Sequence, residues 1–104
     1  MTKEEKLKYI RERTPIADRY EQLAEELVEA AHAAMKMERL LRGVSPSPVS
    51  IHDADLALEA EYGDVLAVMD VIGFSDTCSK LCAESKVDRW HKRLSETETK
   101  NENG

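Results

Sequence analysis

The feature that most constrains this chain is the recurrence of apolar residues at steps of three and four along two long stretches. Such steps match the turn of an α-helix, so each stretch places its apolar side chains along one helix face. The first stretch contains Ile16, Tyr20, Leu23, Leu27, Ala30, Ala34, Met37 and Leu41. The second contains Leu58, Tyr62, Val65, Met69 and Ile72, with Leu66 and Val68 beside them. The pattern predicts two amphipathic helices that pack on partners.

Local signals set the expected bounds of the first two helices. A short, highly charged helix is predicted over residues 3–13. Thr14 then resembles an N-cap, with Pro15 at the first position of the second helix, where its missing N–H is harmless. Gly43 is the expected end of the second helix, because glycine readily adopts the left-handed conformation that closes a helix.

Similar signals separate the third and fourth helices. Residues 43–50 combine proline, serine and glycine and predict a loop. Ser50, followed three residues later by an acidic side chain, predicts the start of a third helix that ends at Gly73. A fourth helix is predicted over residues 75–94, and residues 95–104 are polar without apolar periodicity, which predicts a disordered tail.

These elements predict an all-α fold, a four-helix-type bundle in a single domain over residues 1–94. The chain has 104 residues, of which 41% are hydrophobic and 5% aromatic, enough for a modest core. A small helical protein of this composition often completes its core by associating with itself. We therefore expect the bundle to be completed by oligomerisation.

Charge and hydropathy exclude some classes of partner. The formal net charge is −6, which argues against binding to a nucleic-acid backbone, since that requires a cationic face. No stretch has the 18 or more apolar residues of a membrane span. Met1 is followed by polar residues instead of an apolar signal core, so we expect a cytoplasmic protein. Cys78 and Cys82 are then expected to be free thiols in a reducing compartment.

Five carboxylates lie inside the apolar, helix-periodic stretches. Glu25, Glu26 and Glu29 belong to the first stretch, and Glu61 and Asp64 belong to the second. Around a helix axis, Glu61 and Asp64 are roughly 60° apart, as are Glu26 and Glu29, so each helix aims at least two acids in similar directions. Two such helices side by side bring about four carboxylates together, and their repulsion requires a divalent cation. Oxygen ligands favour magnesium, manganese or calcium over zinc.

The same residues carry a family resemblance. Residues 25–29 read as EExxE and residues 61–64 as ExxD, followed by Val65 and Leu66, and the pattern resembles that of MazG-like all-α nucleotide pyrophosphohydrolases. The resemblance extends from about Tyr20 to about Leu94. It implies a magnesium-dependent enzyme, with manganese as a possible substitute, that cleaves a nucleoside triphosphate between the α- and β-phosphates to give the monophosphate and pyrophosphate. It also implies a homodimer or homotetramer.

The resemblance further implies roles for single residues. Glu26, Glu29, Glu61 and Asp64 would be the metal ligands. Glu25 and Glu26 point about 100° apart, so one is expected to bind the ion and the other to orient the attacking water, and the sequence leaves open which. Lys86 and Arg89 match the basic ends of a pattern resembling K-N-x-x-R and would contact the phosphates, Arg89 through its bidentate fork.

Two alternatives stay open at the level of sequence. The chain can also be read as a non-catalytic helical interaction module that keeps the bundle. Trp90 can stack on a base, but a single Trp in a small helical protein more often fills a core or an interface.

Overall fold

The structure is a computed structural model that describes residues 1–44 and 48–103. Within these residues it contains four α-helices and no strand, which confirms the all-α class. The helices are α1 (Lys3–Arg13), α2 (Ile16–Arg42), α3 (Ile51–Ile72) and α4 (Thr77–Asn103). Residues 45–47 of the predicted loop lie outside the described part.

The chain divides into two compact units. The first is Met1–Phe74 and contains α1, α2 and α3, and the second begins at Ser75 and contains α4. The sequence predicted a single domain extending to residue 94. Apolar periodicity identifies individual helices, but it does not show which of them contact one another. Within the described residues, no helix is both long enough and apolar enough to cross a membrane.

Capping interactions explain most of the helix ends. At the start of α1, the Thr2 hydroxyl accepts from the Glu5 N–H at 3.1 Å, and the Glu5 carboxylate accepts from the Thr2 N–H at 3.4 Å. Ser50 caps α3 as predicted, since its hydroxyl accepts from the Asp53 N–H at 3.0 Å. Gly43 and Gly73 end α2 and α3 in the left-handed conformation, with φ of 70° and 81°.

The predicted cap of α2 needs a correction. Pro15, not Thr14, occupies the N-cap position, and no side chain caps this helix. The Thr14 hydroxyl instead donates to the carbonyl of Ile10, one turn back on α1, at 2.8 Å. The same hydroxyl oxygen accepts from the Arg19 Nε at 3.2 Å, so it bonds to the Arg19 side chain instead of to the first N–H groups of α2.

The first unit is built on the packing of α2 against α3. The partly or fully shielded residues of each helix follow steps of three and four, the spacing of helices packed as in a coiled coil. We call these residues the seam. On α2 they are Arg19, Leu23, Glu26, Ala30, Ala33, Met37 and Leu40, and on α3 they are Ala54, Leu58, Glu61, Val65, Val68 and Ile72. Met69 and Val71, near the end of α3, are also partly shielded but fall outside this spacing and are not counted in the seam. Two seam positions therefore carry glutamates.

The apolar residues of α2 extend beyond the seam. Ala54 and Val65 are 3% and 5% exposed and are the only fully buried side chains of the described residues. Five of the eight residues of the predicted α2 stripe are exposed to solvent: Ile16, Tyr20, Leu27, Ala34 and Leu41. A single neighbouring helix covers only a narrow face, so a broader stripe leaves one flank open.

α1 is attached to the C-terminal end of α3 by polar contacts. The Arg11 guanidinium donates to the carbonyl oxygens of Val71 at 2.8 Å and Asp70 at 2.6 Å, which lie in the last turn of α3. Lys3 forms an ion pair of 2.9 Å with the Asp70 carboxylate. The hydrogen bond to Asp70 and the charge of that carboxylate raise the pKa of Lys3 above its ordinary value. A cationic side chain on terminal carbonyls complements the helix dipole.

A disordered tail is predicted from residue 95, whereas in the structure α4 continues to Asn103. The Thr97 and Thr99 hydroxyls donate to the carbonyls of Arg93 and Ser95, four residues back, at 2.9 and 3.0 Å. These hydroxyls point along the helix and do not interrupt it. The glutamates and the lysine of this segment are good helix formers, and neither proline nor glycine occurs before the last residue.

Candidate metal centre

Three carboxylates from two helices converge in the middle of the seam. One carboxylate oxygen from each of Glu26, Glu29 and Glu61 lies within 4.8 Å of the other two. Glu26 and Glu29 are one turn apart on α2, and Glu61 faces them from α3. The convergence follows from the packing of the helices, since Glu26 and Glu61 are both seam residues.

Two oxygens of this cluster are buried without a partner. The Glu26 Oε1 atom accepts from the Gln22 amide at 2.8 Å. The Oε2 atoms of Glu26 and Glu61 are shielded from solvent, and no hydrogen-bond donor among the described residues reaches them. A buried acceptor without a donor costs about 1–3 kcal/mol, and more when it is charged. These two oxygens are therefore free to accept from a donor or to bind a cation that the described side chains do not supply.

The cluster also lacks a neutralising charge. Within residues 1–44 and 48–103, the ion pairs of the chain involve other carboxylates, and none reaches Glu26, Glu29 or Glu61. Two unit charges about 5 Å apart repel by roughly 3–4 kcal/mol at an effective dielectric near 20. Repulsion of this size favours either an open, solvated arrangement or a bound cation.

The donor set fits a hard divalent cation. All three ligands are carboxylate oxygens, which suit magnesium, manganese or calcium and not a thiophilic metal. Oxygens about 2.4 Å from calcium are at most about 4.8 Å apart, and oxygens about 2.1 Å from magnesium are at most about 4.2 Å apart. The observed separation of up to 4.8 Å thus requires side-chain movements of less than about 1 Å to close on magnesium.

Two other predicted site residues lie apart from this group. Asp64 is exposed, one turn after Glu61 on α3, and its carboxylate is not among those brought together. Glu25 is exposed on α2 and is also outside the group. Both residues lie off the seam, so helix packing does not direct them inward. Their predicted roles stay predictions.

Gln22 is a site residue that the sequence analysis missed. Its amide positions Glu26, and the same side chain borders a cavity of about 220 Å³. That cavity lies between α1, α2 and α3, and its other lining residues are Ile10, Thr14, Asp18, Arg19, Val68 and Val71. The four-residue spacing of Gln22 and Glu26 could have indicated this hydrogen bond, because residues four apart on a helix are neighbours. The carboxylate cluster therefore has an apolar-walled space beside it.

The predicted phosphate contacts belong to the second unit. Lys86 and Arg89 lie on one face of α4, where they border a surface groove of about 470 Å³ together with Lys92, Arg93 and Glu96. The Arg89 Nε donates to the Ser85 carbonyl of its own helix at 3.3 Å, and its other guanidinium nitrogens form no hydrogen bond within residues 1–44 and 48–103. Lys86 and Arg89 thus share a basic face of α4, and their phosphate contacts stay a prediction.

Comparisons with protein-family models, curated proteins and solved structures found no match to this chain. The function of the carboxylate cluster is therefore inferred from its own residues and geometry.

Proposed function

We propose that this protein is a magnesium-dependent nucleoside triphosphate pyrophosphohydrolase of the MazG-like kind. The observation that carries the proposal is the presence of two glutamates, Glu26 and Glu61, in a helix seam whose other positions are mostly apolar. Each has one buried oxygen without a donor, and Glu29 adds a third carboxylate beside them. Because the packing of α2 against α3 brings these carboxylates together, they support a site for a divalent cation.

Glu26, Glu29 and Glu61 are the proposed ligands of magnesium, or of manganese in its place. A bound ion of this type neutralises phosphate charge and lowers the pKa of a coordinated water. Gln22 fixes the orientation of Glu26 through its hydrogen bond, so the ligand set is partly preorganised. Asp64, one turn from Glu61, is proposed as a further ligand on the solvent side of the centre.

The remaining predicted residues have proposed roles in binding and proton transfer. Glu26 belongs to the carboxylate cluster, which favours Glu26 as the ligand and leaves Glu25 to orient and deprotonate the attacking water. Lys86 and Arg89 are proposed to contact the substrate phosphates, because a guanidinium can hold two phosphate oxygens at once. Products would be a nucleoside monophosphate and pyrophosphate.

Self-association is part of the proposal. The first unit has only two fully buried side chains among its described residues and exposes Tyr20, Leu27, Tyr62 and Leu66. A surface with this many exposed large apolar side chains is typical of a protein–protein interface. A homodimer or homotetramer would cover the open flank of the seam.

Pyrophosphate release tests the activity. The full chain is incubated with magnesium and a panel of canonical and modified nucleoside triphosphates, and pyrophosphate and monophosphate are measured. We expect at least one substrate to be cleaved, with kcat/KM lowered about a hundredfold or more in Glu61→Gln. Glu59→Gln, which changes an exposed acid of the same helix, is the matched control and should retain activity. Absence of release from every nucleotide contradicts the proposal.

One observation favours a second candidate, a non-catalytic helical interaction module. The extent of exposed apolar surface is as expected for a binding module as for a self-associating enzyme. The two candidates differ in their response to metal. Stabilisation of the wild type by magnesium that Glu61→Gln loses supports the enzyme, and equal melting temperatures with and without metal support the module.

A further inference from the structure

Helix α4 carries an apolar stripe that its own unit does not bury. Val87, Trp90 and Leu94 are 62%, 57% and 56% exposed. They are spaced by three and four residues, so they lie along one side of the helix. The same spacing extends the stripe in both directions. We call the full set the α4 stripe: Ala83, Val87, Trp90, Leu94, Thr97 and Asn101.

The α4 stripe fits the heptad of a coiled coil. In the abcdefg notation, Val87, Leu94 and Asn101 occupy a positions, and Ala83, Trp90 and Thr97 occupy d positions. One step before the α4 stripe, Lys80 occupies the first a position of the helix. α4 has 27 residues and is therefore about 40 Å long, close to four heptads. Polar residues thus occupy the first and last a positions of α4, Lys80 and Asn101, and a polar side chain at an a position helps to fix register and strand number in paired helices.

The two flanks of the α4 stripe carry opposite charges. The g positions are Lys86, Arg93 and Lys100, and the e positions are Glu84, His91 and Glu98. Among the described residues of the second unit, Lys80 forms an ion pair with Asp76, and the charged residues of the two flanks form none. The charge of each flank is therefore available to a neighbouring helix.

This charge distribution selects an orientation for pairing of identical helices. In a parallel pair, the g flank of one helix lies against the e flank of the other, so Arg93 faces Glu98 of the second copy. In an antiparallel pair, like flanks meet and Lys86, Arg93 and Lys100 lie against another basic flank. The parallel arrangement gives two symmetric Arg93–Glu98 pairs, and the antiparallel one gives repulsion.

We propose that the α4 stripe is a docking surface for α4 of a second copy of this chain, paired in parallel and in register as a two-stranded coiled coil. Charge complementarity between the flanks identifies the occupant, because each flank is the complement of the opposite flank of an identical helix. This inference does not depend on the proposed enzymatic activity. It adds an orientation and an interface to the self-association of the chain.

Sedimentation equilibrium of the full chain tests the surface. Leu94→Glu removes an a-position side chain, and Leu81→Glu is the matched control, because Leu81 is 62% exposed but lies off the α4 stripe. We expect Leu94→Glu to raise the dissociation constant of the dimer about tenfold or more and Leu81→Glu to leave it near the wild-type value. A monomeric wild type at about 100 µM, or equal effects of both variants, overturns the proposal.

Cysteine cross-linking tests the orientation. In a background of Cys78→Ser and Cys82→Ser, Thr97→Cys places a thiol at a d position, where it meets its equivalent only in a parallel, in-register pair. Thr99→Cys, on the outward f position, is the control. Rapid disulfide dimerisation of Thr97→Cys alone is expected under mild oxidation. Equal cross-linking of the two variants, or none in either, contradicts a parallel pair.

A charge swap tests the flanks separately. Arg93→Glu places two acids against each other at both symmetric contacts, and we expect the dissociation constant to rise about tenfold. The double variant Arg93→Glu with Glu98→Arg restores opposite charges only in the parallel arrangement. Recovery to near the wild-type dissociation constant supports the proposal, and failure to recover while the helix content is unchanged overturns it.

Discussion

At the scale of single residues, Glu26 and Glu61 are the informative positions. Each replaces an apolar side chain in a seam that otherwise contains residues such as Leu23, Leu58 and Val65. An acid at such a position destabilises the helix pair unless a cation joins it, because both desolvation and repulsion act on the carboxylate. Glu26 and Glu61 therefore lower the stability of the helix pair, and a bound ion would offset this cost.

This cost predicts the behaviour of the metal-free protein. Glu61→Gln removes one of three repelling charges and supplies an amide donor for Glu26, so we expect the variant to be more stable than the wild type by about 1–2 kcal/mol in EDTA. Thermal unfolding followed by circular dichroism measures the difference. A variant that unfolds earlier than the wild type without metal would show that Glu61 stabilises the apo fold.

Gln22 provides a second prediction at this scale. Gln22→Ala removes the donor that holds Glu26 Oε1, so Glu26 becomes free to rotate and the affinity for manganese should fall about tenfold. The helix content should stay the same, since alanine is a good helix former. Titration calorimetry with MnCl₂ gives the affinity. An unchanged dissociation constant would mean that Gln22 does not position the ligand.

At the scale of elements, local signals predicted most of the helix ends. Ser50, Gly43 and Gly73 act through their own hydroxyl or backbone conformation, and the structure places them as predicted. The extension of α4 beyond residue 94 was missed, because the prediction used apolar periodicity and this segment is polar. The sequence also did not show which side of the apolar stripe of α2 packs against α3. The stripe is wider than the face that one neighbouring helix can cover.

The rotation of α2 about its own axis also sets which of its acidic side chains faces Glu61. The sequence left open whether Glu25 or Glu26 binds the ion, because both lie in one apolar stretch and point in different directions. The seam of α2 includes Glu26 and excludes Glu25, so Glu26 is the one aimed at Glu61. The turn of a helix about its own axis depends on tertiary packing, and one sequence does not determine it.

The attachment of α1 gives a prediction at the element scale. Arg11→Met keeps the length of the side chain but removes both hydrogen bonds to the end of α3, and we expect a loss of about 1–3 kcal/mol in the free energy of unfolding. Lys6→Met, at an exposed position of the same helix, is the control. Urea denaturation measures both. Equal stability of the two variants would exclude Arg11 as the main anchor.

At the scale of the whole molecule, the residues proposed to act on the substrate are divided between the two units. The carboxylate cluster belongs to Met1–Phe74, and the basic residues proposed to contact phosphate belong to α4. The sequence did not predict this division, since it depends on contacts between distant segments. A chain with this little fully buried surface is expected to be stable only as an oligomer.

The central claim is that Glu26, Glu29 and Glu61 together bind a divalent cation. Electron paramagnetic resonance of Mn²⁺ tests it most directly, because the signal of free Mn²⁺ decreases as the ion binds. We expect saturable binding to the wild type, competition by Mg²⁺, loss of binding in Glu61→Gln, and retention in Glu59→Gln. Full free-ion signal in the presence of the wild type, or identical binding by Glu61→Gln, would contradict the claim.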